Sequence, residues 1–574
     1  MDASGRGAPP KLQKIMGRAV LAPGARAFLQ EGAIPLEGGL VRGRVRHAAE
    51  SARRSGTRLR RPDAKILKTL REAEEAETLL DKTREDARLG RMSEPISFPA
   101  TATAAEIAKT IGNDARLMPR FPVSQPKQDG SVKIRPVDDG TRAGINAATT
   151  PSEKLTVDGV DRVLAACRAF YDAHGYAPVL WKADVDAAYR RIPLAPGHAF
   201  AAWSAFLAKG RIWVSQHRAL PFGAAGSVYG WDRVAAFIRH AARRLVRIPA
   251  GRYVDDYFAP DAPGSVAHGM AVFARLVRAI LGPGSIASNK LEWGRMLVLL
   301  GISFAFSAQG IHCCPSEDKI YKWTAVIRRA LAFGALEPGA ASKLAGALSW
   351  ASQSLFKRLG RAFLRPLFAQ QHGSCPRIKG PLRIALTWWL EILESGVHEV
   401  AAWEAQLMDA AHLFADARST PPRVAAVLFA RGSAWYTDWE PDAAIMRLFY
   451  QRSDNQIMSL ELLAIAVAMS SFRHLLPRTA IEIFSDNRGA EQAMARGSAR
   501  QFDHTCLVHG VWAMAAELAA SVWVHRVPSS ANIADPPSRE DYDLVRRIEA
   551  KFVEPVLDER FYAPQQWASL ASAR

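Results

Sequence analysis

Two aspartates in succession, Asp255 and Asp256, sit inside Arg252-Tyr253-Val254-Asp255-Asp256-Tyr257-Phe258. The flanking β-branched and aromatic residues favour strands. The segment therefore reads as a tight hairpin with both acids near its turn. Neighbouring like charges in a hairpin cost stability. Divalent cations offset that cost, and hard Mg²⁺ takes carboxylate oxygens as ligands. A third acid, Asp184, lies upstream in Trp181-Lys182-Ala183-Asp184-Val185-Asp186-Ala187-Ala188-Tyr189. A fold that uses all three must bring two distant strand segments together.

At 574 residues the chain exceeds one core, and about three or four domains are expected. The formal charge is +19, which points to a polyanionic partner. The excess is uneven. Residues 1–70 hold 15 Lys and Arg against 5 Asp and Glu, ten of the nineteen excess charges. This reads as a flexible basic arm. Its clusters, Arg42, Arg44 and Arg46, then Arg53, Arg54, Arg58, Arg60 and Arg61, suit either a nuclear signal or an RNA tether. Cys167, Cys313, Cys314, Cys375 and Cys506 show no CxxC spacing, so no zinc knuckle can be built. A reducing, intracellular compartment fits, either cytoplasm or nucleus. No apolar run of membrane-spanning length is present, and the first residues carry no secretory signal.

Composition and periodicity divide the chain into a basic arm (1–62), a charged helix and Pro-punctuated connector (63–125), alternating strands and helices (126–310), a helical region (311–372), a linker or connection (373–410), an α/β unit (411–545) and a tail (546–574). Residues 265–281 carry apolar groups at helical spacing, with Ser265 as N-cap. In the α/β unit, 412–416, 424–429, 480–485 and 522–527 read as strands, and 459–476 and 503–520 as helices. Glu461 interrupts an otherwise apolar run, Leu460-Glu461-Leu462-Leu463-Ala464-Ile465-Ala466-Val467. A charge near a core needs a partner or a metal.

Further motifs fall in order around the acids. Asp129-Gly130 is a hairpin signal inside Gln125-Pro126-Lys127-Gln128-Asp129-Gly130-Ser131-Val132-Lys133-Ile134-Arg135-Pro136-Val137-Asp138-Asp139. Ala219-Leu220-Pro221-Phe222-Gly223-Ala224-Ala225-Gly226-Ser227 is a glycine-bearing loop whose backbone can approach a ligand closely. Asn289-Lys290-Leu291-Glu292-Trp293 and Leu300-Gly301-Ile302-Ser303-Phe304 follow. The helical region has basic flanks at Lys357, Arg358, Arg361 and Arg365, suited to phosphate contacts.

Taken together, residues 120–540 resemble retroelement reverse transcriptases with a fused RNase H domain. The Arg135-Pro136-Val137-Asp138-Asp139 segment, Phe222 and Ala534-Asp535-Pro536-Pro537-Ser538-Arg539 look most like the DIRS-type, tyrosine-recombinase branch of retrotransposons. The resemblance implies an α+β multidomain protein. A right-hand polymerase (fingers, ferredoxin-like palm, helical thumb) would be followed by an RNase H-like α/β domain. It implies RNA-directed DNA synthesis by two-metal nucleotidyl transfer. Asp184, Asp255, Asp256 and the Val185 carbonyl would hold Mg²⁺ or Mn²⁺, two ions per site. Lys133 and Arg135 would meet the triphosphate of a dNTP, and Asn146 would close that motif. Tyr189 would select deoxynucleotides, Phe222 and Gly223 would approach the nascent pair, and Lys290 would protonate pyrophosphate, with a plain surface lysine as its alternative. The expected partners are an RNA template, a DNA primer, an RNA–DNA hybrid and dNTPs. Ala187 stands where many members of that family carry a second acid; Asp186, offset by one from it, would point to the other face of a strand from that position.

The α/β unit carries acids in the order of the RNase H tetrad: Asp416, Glu461, Asp486 and Asp535. Asp438 competes with Asp416 as the first of them, and strand order favours Asp416, since residues 424–436 then supply the following strand or strands. His525 and His504 stand near the place of a loop histidine. Two other readings fit the residues, a catalytically inactive element-derived nucleic-acid-binding protein and a DNA-templated polymerase. The seven intact acids argue against the first of these.

Overall fold

The computed structural model describes residues 62–126, 131–149, 153–355, 359–396, 398–404 and 408–561. The basic arm, the Asp129-Gly130 turn, Lys357 and Arg358 lie outside the described residues. The chain divides into two compact units, one ending at Leu297 and the next beginning at Val298. Both are mixed α/β. Among the described residues, no single helix is long and apolar enough to cross a membrane.

In the first unit, the charged helix expected over 63–90 is two helices, Pro62–Thr69 and Ala76–Arg88. They are separate because Ile66 packs with Met118 and Ile145, whereas Leu79 and Leu80 pack with Phe206. At the break, the Thr69 hydroxyl donates back to the Ile66 carbonyl, and the Arg71 guanidinium donates to those of Lys68 and Leu70.

Strands β1 (Ile96–Pro99), β2 (Leu117–Pro126) and β3 (Val132–Asp138) precede β4 (Val179–Asp184). A hairpin of β5 (Trp203–Ala208) and β6 (Arg211–Gln216) follows, then β7 (Gly251–Tyr253), β8 (Asp256–Asp261) and β9 (Leu291–Gly294). They form two sheets, β1-β6-β5-β2-β3 and β7-β8-β4-β9. Helix Ala225–Leu245 lies between β6 and β7 in sequence, and helix Val266–Leu281 between β8 and β9. The second sheet with its two helices is a βαββαβ unit of strand order 2-3-1-4, with the β5–β6 hairpin inserted after its first strand.

Alternation along β4 decides which side chains face the helices. Val179, Trp181 and Ala183 enter a core with Trp231, Ile238 and Phe273. Lys182 and Asp184 project from the other face, where Lys182 meets Glu292 at 2.8 Å. Ser265 precedes its helix as expected but does not cap it. Its hydroxyl donates to Asp261 at 2.6 Å instead.

The division falls within β10 (Met296–Leu299), which forms a hairpin with β11 (Ile302–Phe306), followed by β12 (Gly310–Pro315); β13 (Glu399–Ala402) completes this sheet. Leu300 and Gly301 both have positive φ, as a tight two-residue hairpin turn requires. The Trp350 indole donates to the Leu300 carbonyl at 2.8 Å and holds the turn in place. Helices Glu317–Phe333, Pro338–Ala351 and Arg365–Gln371 occupy the expected helical region.

The linker or connection expected over 373–410 is partly helical. It contains helix Gly380–Glu394, whose Leu382, Ala385, Leu386, Trp389 and Leu393 are buried at helical spacing. The Pro and Gly cluster before it forms only the turn into that helix. There the Gln370 amide donates to the Leu336 and Cys375 carbonyls.

Strands β14 (Asp409–Ser419), β15 (Pro422–Ala430), β16 (Ser433–Trp439), β17 (Thr479–Ser485), β18 (Ser521–Arg526) and β19 (Lys551–Phe552) form one sheet. Its order is β18-β17-β14-β15-β16-β19. The first five strands in sequence thus stand as 3-2-1-4-5, with β14 parallel to β17 and antiparallel to β15. Helix Ile457–Ser471 is buried from Ser459 to Ser471.

The stretch from 546 onward is not a loose tail through residue 561. β19 pairs with β16, and Phe561 is buried in the core of this sheet. A Cβ at Gly510 would lie 2.4 Å from the Phe561 ring, so helix Phe502–Glu517 is shaped to receive it. Phe561→Ala is expected to destabilise the second unit by about 3–5 kcal/mol, read as a lowered midpoint in thermal or urea unfolding. An unchanged midpoint would show that residues 551–561 do not contribute to that core.

Candidate active sites

Antiparallel pairing of β4 and β8 sets Asp184 directly opposite Asp256. Asp255 occupies the turn between β7 and β8. That turn is strained, because Val254 has φ +54°, a region costly for a β-branched residue. Two bonds hold it. The Trp231 indole donates to the Val254 carbonyl at 2.8 Å, and the Val185 amide donates to the Asp255 carbonyl at 3.1 Å. The backbone after Asp184 is thereby tied to the backbone of Asp255.

Burial pushes the Asp255 carboxyl up, and the Asp184 charge adds to that. Burial, then Asp255 and Asp184, push Asp256 to about 6. Lys290 answers part of this charge. Its Nζ lies 2.6 Å from Asp184 and 3.5 Å from Asp186. Burial disfavours the ammonium, but the bonds and charges of Asp184 and Asp186 together outweigh it and raise the lysine above its usual range. β4 ends at Asp184, and the turn that follows brings Asp186 beside the same Lys290 that meets Asp184.

Asp184, Asp186, Asp255 and Lys290, but not Asp256, border a cavity of about 520 Å³. Asp184, Val185, Tyr189, Asp255 and Lys290 line one side, and Lys133 and Arg135 of β3 line another. The Arg135 charge reaches Asp255 and opposes its upward shift. Tyr189 meets Phe222 edge-on at 5.3 Å. Burial, then Asp255 and Asp232, raise its hydroxyl to about 12. Gly223 has φ +95°, and a Cβ there would lie 1.8 Å from the Asp138 carbonyl oxygen. Only glycine fits. Asn146 fixes the same loop, donating to the Gly223 carbonyl at 3.0 Å and accepting from the Ala225 amide at 2.7 Å.

The same cavity is also lined by a polar network absent from the sequence reading. Arg120 donates to both Asp138 oxygens, at 2.9 and 3.1 Å. Ser204 donates to Asp138 at 2.6 Å, and His217 Nε2 lies 3.1 Å from it. Burial alone would raise the Asp138 carboxyl, but Arg120 and His217 hold it well below its usual range. Arg190 donates to His217 Nδ1 at 2.8 Å and to Asp86 at 3.0 Å. Arginine has no acceptor, so the His217 proton sits on Nε2, and burial drives its pKa down to about 4. The available signal was position, since Arg190 adjoins Tyr189 and Asp138 ends the β3 motif.

The second unit gathers its own acids. Asp416 lies on β14, Glu461 on helix Ile457–Ser471 and Asp486 just beyond β17. One ligand oxygen from each lies within 4.8 Å of the other two, and among the described residues no other such group of three forms. By this measure Asp184, Asp255 and Asp256 stand less tightly together. Asp416 accepts from Asn532 at 3.1 Å and Ser538 at 2.7 Å, two residues the sequence reading missed. Burial, then Asp486 and Asp535, raise it to about 6 against the Ser538 bond. Burial, then Asp416 and Asp486, raise Glu461 to about 9. Three converging oxygen donors of this kind fit a hard divalent cation.

Asp535 opens helix Asp535–Ser538 and is held by Arg539 at 2.8 Å. Its charge reaches Asp416 and Glu461. Asp438 stands two strands from Asp416, since both positions register with Ala425 from opposite sides. It is engaged by Arg423 and by the Tyr542 hydroxyl. His525 stacks on Phe484, and His504 is buried beside Ser459 at 2.9 Å.

No protein-family model and no curated protein matches the chain. Among solved structures it is similar to a foamy viral protease-reverse transcriptase in complex with an RNA/DNA hybrid. Identity is 12% over 79% of this chain and 54% of that one, with a TM-score of 0.43. The dRH form in complex with double-stranded DNA gives 13%, 79%, 70% and 0.41. A further complex with double-stranded DNA gives 13%, 79%, 84% and 0.40. The chain thus spans about half the length of the first of these, 54%.

Two outcomes follow from the geometry. Gly223→Ala should cost more than about 1 kcal/mol and displace the 222–225 loop from β3, seen as a lowered unfolding midpoint; an unaltered midpoint would contradict the close approach. Glu461 titrates near 9 in the fold and near 4.5 when unfolded, so the folded state holds the proton more tightly. In chelator, stability should therefore fall as pH rises from about 4.5 through 9. Glu461→Gln, always neutral, should melt higher than wild type at pH 8 in chelator and gain less from added Mg²⁺. Equal melting of the two proteins at pH 8 would refute the raised carboxyl.

Proposed function

We propose that the chain is an RNA-directed DNA polymerase of a retroelement whose second unit is a ribonuclease acting on RNA–DNA hybrids. The observation that carries this reading is the meeting of Asp184 and Asp256 across β4 and β8, with Asp255 at the adjoining turn and Lys133 and Arg135 across the cavity. The βαββαβ order 2-3-1-4 is that of a ferredoxin-like palm. The sheet β1-β6-β5-β2-β3 suits fingers, and the helices from Glu317 to Gln371 suit a thumb. The 3-2-1-4-5 sheet suits an RNase H-like domain. The DIRS-type branch is inferred from motif residues alone.

In this reading Asp184, Asp255, Asp256 and the Val185 carbonyl hold Mg²⁺ or Mn²⁺, which supplies Lewis-acid stabilisation of phosphoryl charge when bound. Lys133 and Arg135 neutralise and orient the triphosphate of the incoming dNTP. Tyr189, braced by Phe222, excludes a 2′-hydroxyl. Lys290, protonated and beside Asp184, is placed to give its proton to the leaving pyrophosphate. In the second unit, Asp416, Glu461, Asp486 and Asp535 provide the oxygen ligands for hydrolysis, and Asn532 and Ser538 fix the orientation of Asp416.

The test is extension of a DNA primer on an RNA template with Mg²⁺, beside filter binding. Asp255→Asn with Asp256→Asn should reduce extension to background and leave salt-sensitive binding intact. Asp416→Asn should abolish hybrid cleavage and leave extension. Extension by the first variant would overturn the site assignment. Binding without extension by wild type would favour the inactive reading, and extension on DNA but not RNA templates a DNA-templated polymerase.

A further inference from the structure

A second groove of about 510 Å³ lies in the first unit, at the far end of the β7–β8 hairpin from Asp255. Pro249, just before β7, and Pro260 on β8 line it. Pro260 is four residues beyond Asp256, about 13 Å along a strand. The opposite wall is helix Val160–His174. Ala165, Ala166, Ala169 and Ala173 leave a shallow apolar floor there.

At one end of that floor the rings of Phe170 and His174 lie 4.4 Å apart. Tyr176 stands edge-on to Phe170 at 5.6 Å and is 45% exposed. Three guanidinium groups rim the groove: Arg162 from the helix, and Arg243 and Arg247 from the facing wall. Among the described residues neither Arg162 nor Arg247 makes an ion pair. Arg243 donates its Nε–H to the Ala250 carbonyl at 2.8 Å. Asp158, the acid whose charge reaches Arg243, is taken by Arg239 at 3.0 Å. Arg239 and Arg162 both act on Arg243 as like charges.

Repelling cations beside an apolar floor call for an occupant that is anionic on one side and flat and apolar on the other. A nucleotide has both parts. Arginines take phosphate, and aromatic faces take any base. The overall charge of +19 favours the same class. An acidic peptide would match the arginines and leave the ring cluster without a stacking partner.

We propose that this groove binds single-stranded nucleic acid, with phosphates on Arg162, Arg243 and Arg247 and a base against Phe170, His174 and Tyr176. The site uses none of the carboxylates and stands whether or not the chain polymerises.

The test uses the full chain with saturating primer–template, so that the cavity at Asp255 is filled. A labelled oligouridine of about twelve nucleotides carrying 4-thiouridine is then titrated in and crosslinked. Wild type should crosslink within residues 160–176. Arg162→Glu with Arg247→Glu should weaken binding of the oligouridine at least about tenfold and reduce the salt slope by about 1–2, with primer extension unchanged. His174→Ala, on an exposed position, should weaken it at least about fivefold and decides the matter if the arginine variant fails to fold. The proposal is overturned if wild type gives no crosslink in 160–176. It is overturned equally if the folded variants bind as wild type does, or if oligoglutamate occupies the segment and oligouridine does not.

Discussion

Carboxylates drawn together and away from water repel one another, and both acid clusters depend on a frame stiff enough to bear that repulsion. Asp416, Glu461 and Asp486 come from a strand, a helix and a strand end, each anchored in one core. Glu461 sits in a helix buried from Ser459 to Ser471, so it cannot swing out to solvent without unpacking apolar neighbours. In the first unit the alternation of β4 commits Trp181 and Ala183 to the core and thereby commits Asp184 to the face opposite. Packing supplies the energy, and the acids are carried along with it.

The two clusters relieve their charge by different means. Lys290 sets a full positive charge against Asp184 and Asp186. The second cluster has neutral donors instead, Asn532 and Ser538 on Asp416 and Ser485 near Glu461. A hydroxyl or amide orients a carboxylate and cancels little of its charge. Burial is the first cause of both upward displacements, and the more deeply buried Glu461 reaches about 9 where Asp256 reaches about 6. A proton on Glu461 or a divalent cation can end the repulsion, and the two compete.

The pattern of strands, helices and acids was legible because each depends on local alternation. β4, the β7–β8 turn, β17 and the helix bearing Glu461 lie where apolar periodicity puts them. What was not legible depends on partners distant in the chain. Helix Gly380–Glu394 was hidden by the Pro and Gly residues in front of it, although Leu382, Leu386, Trp389 and Leu393 follow helical spacing. Phe561 gave no sign that Gly510 had made room for it. Strand order already favoured Asp416 over Asp438, and the register sets the two on strands either side of β15.

Asp138 shows most plainly how the first cavity is assembled. Its amide donates to the Phe222 carbonyl at 3.3 Å, and its own carbonyl occupies the space that a side chain at 223 would need. Its carboxylate is bound by Arg120 and approached by His217, and His217 accepts from Arg190, next to Tyr189. The strand carrying Lys133 and Arg135, the loop carrying Phe222 and the turn carrying Tyr189 thus converge on one residue. Loss of its charge would leave Arg120 buried without its closest partner, a costly state at such burial. The geometry around a nucleotide-sized cavity therefore rests on a residue that does not itself reach Asp184, and three separate sequence motifs act as one structural element.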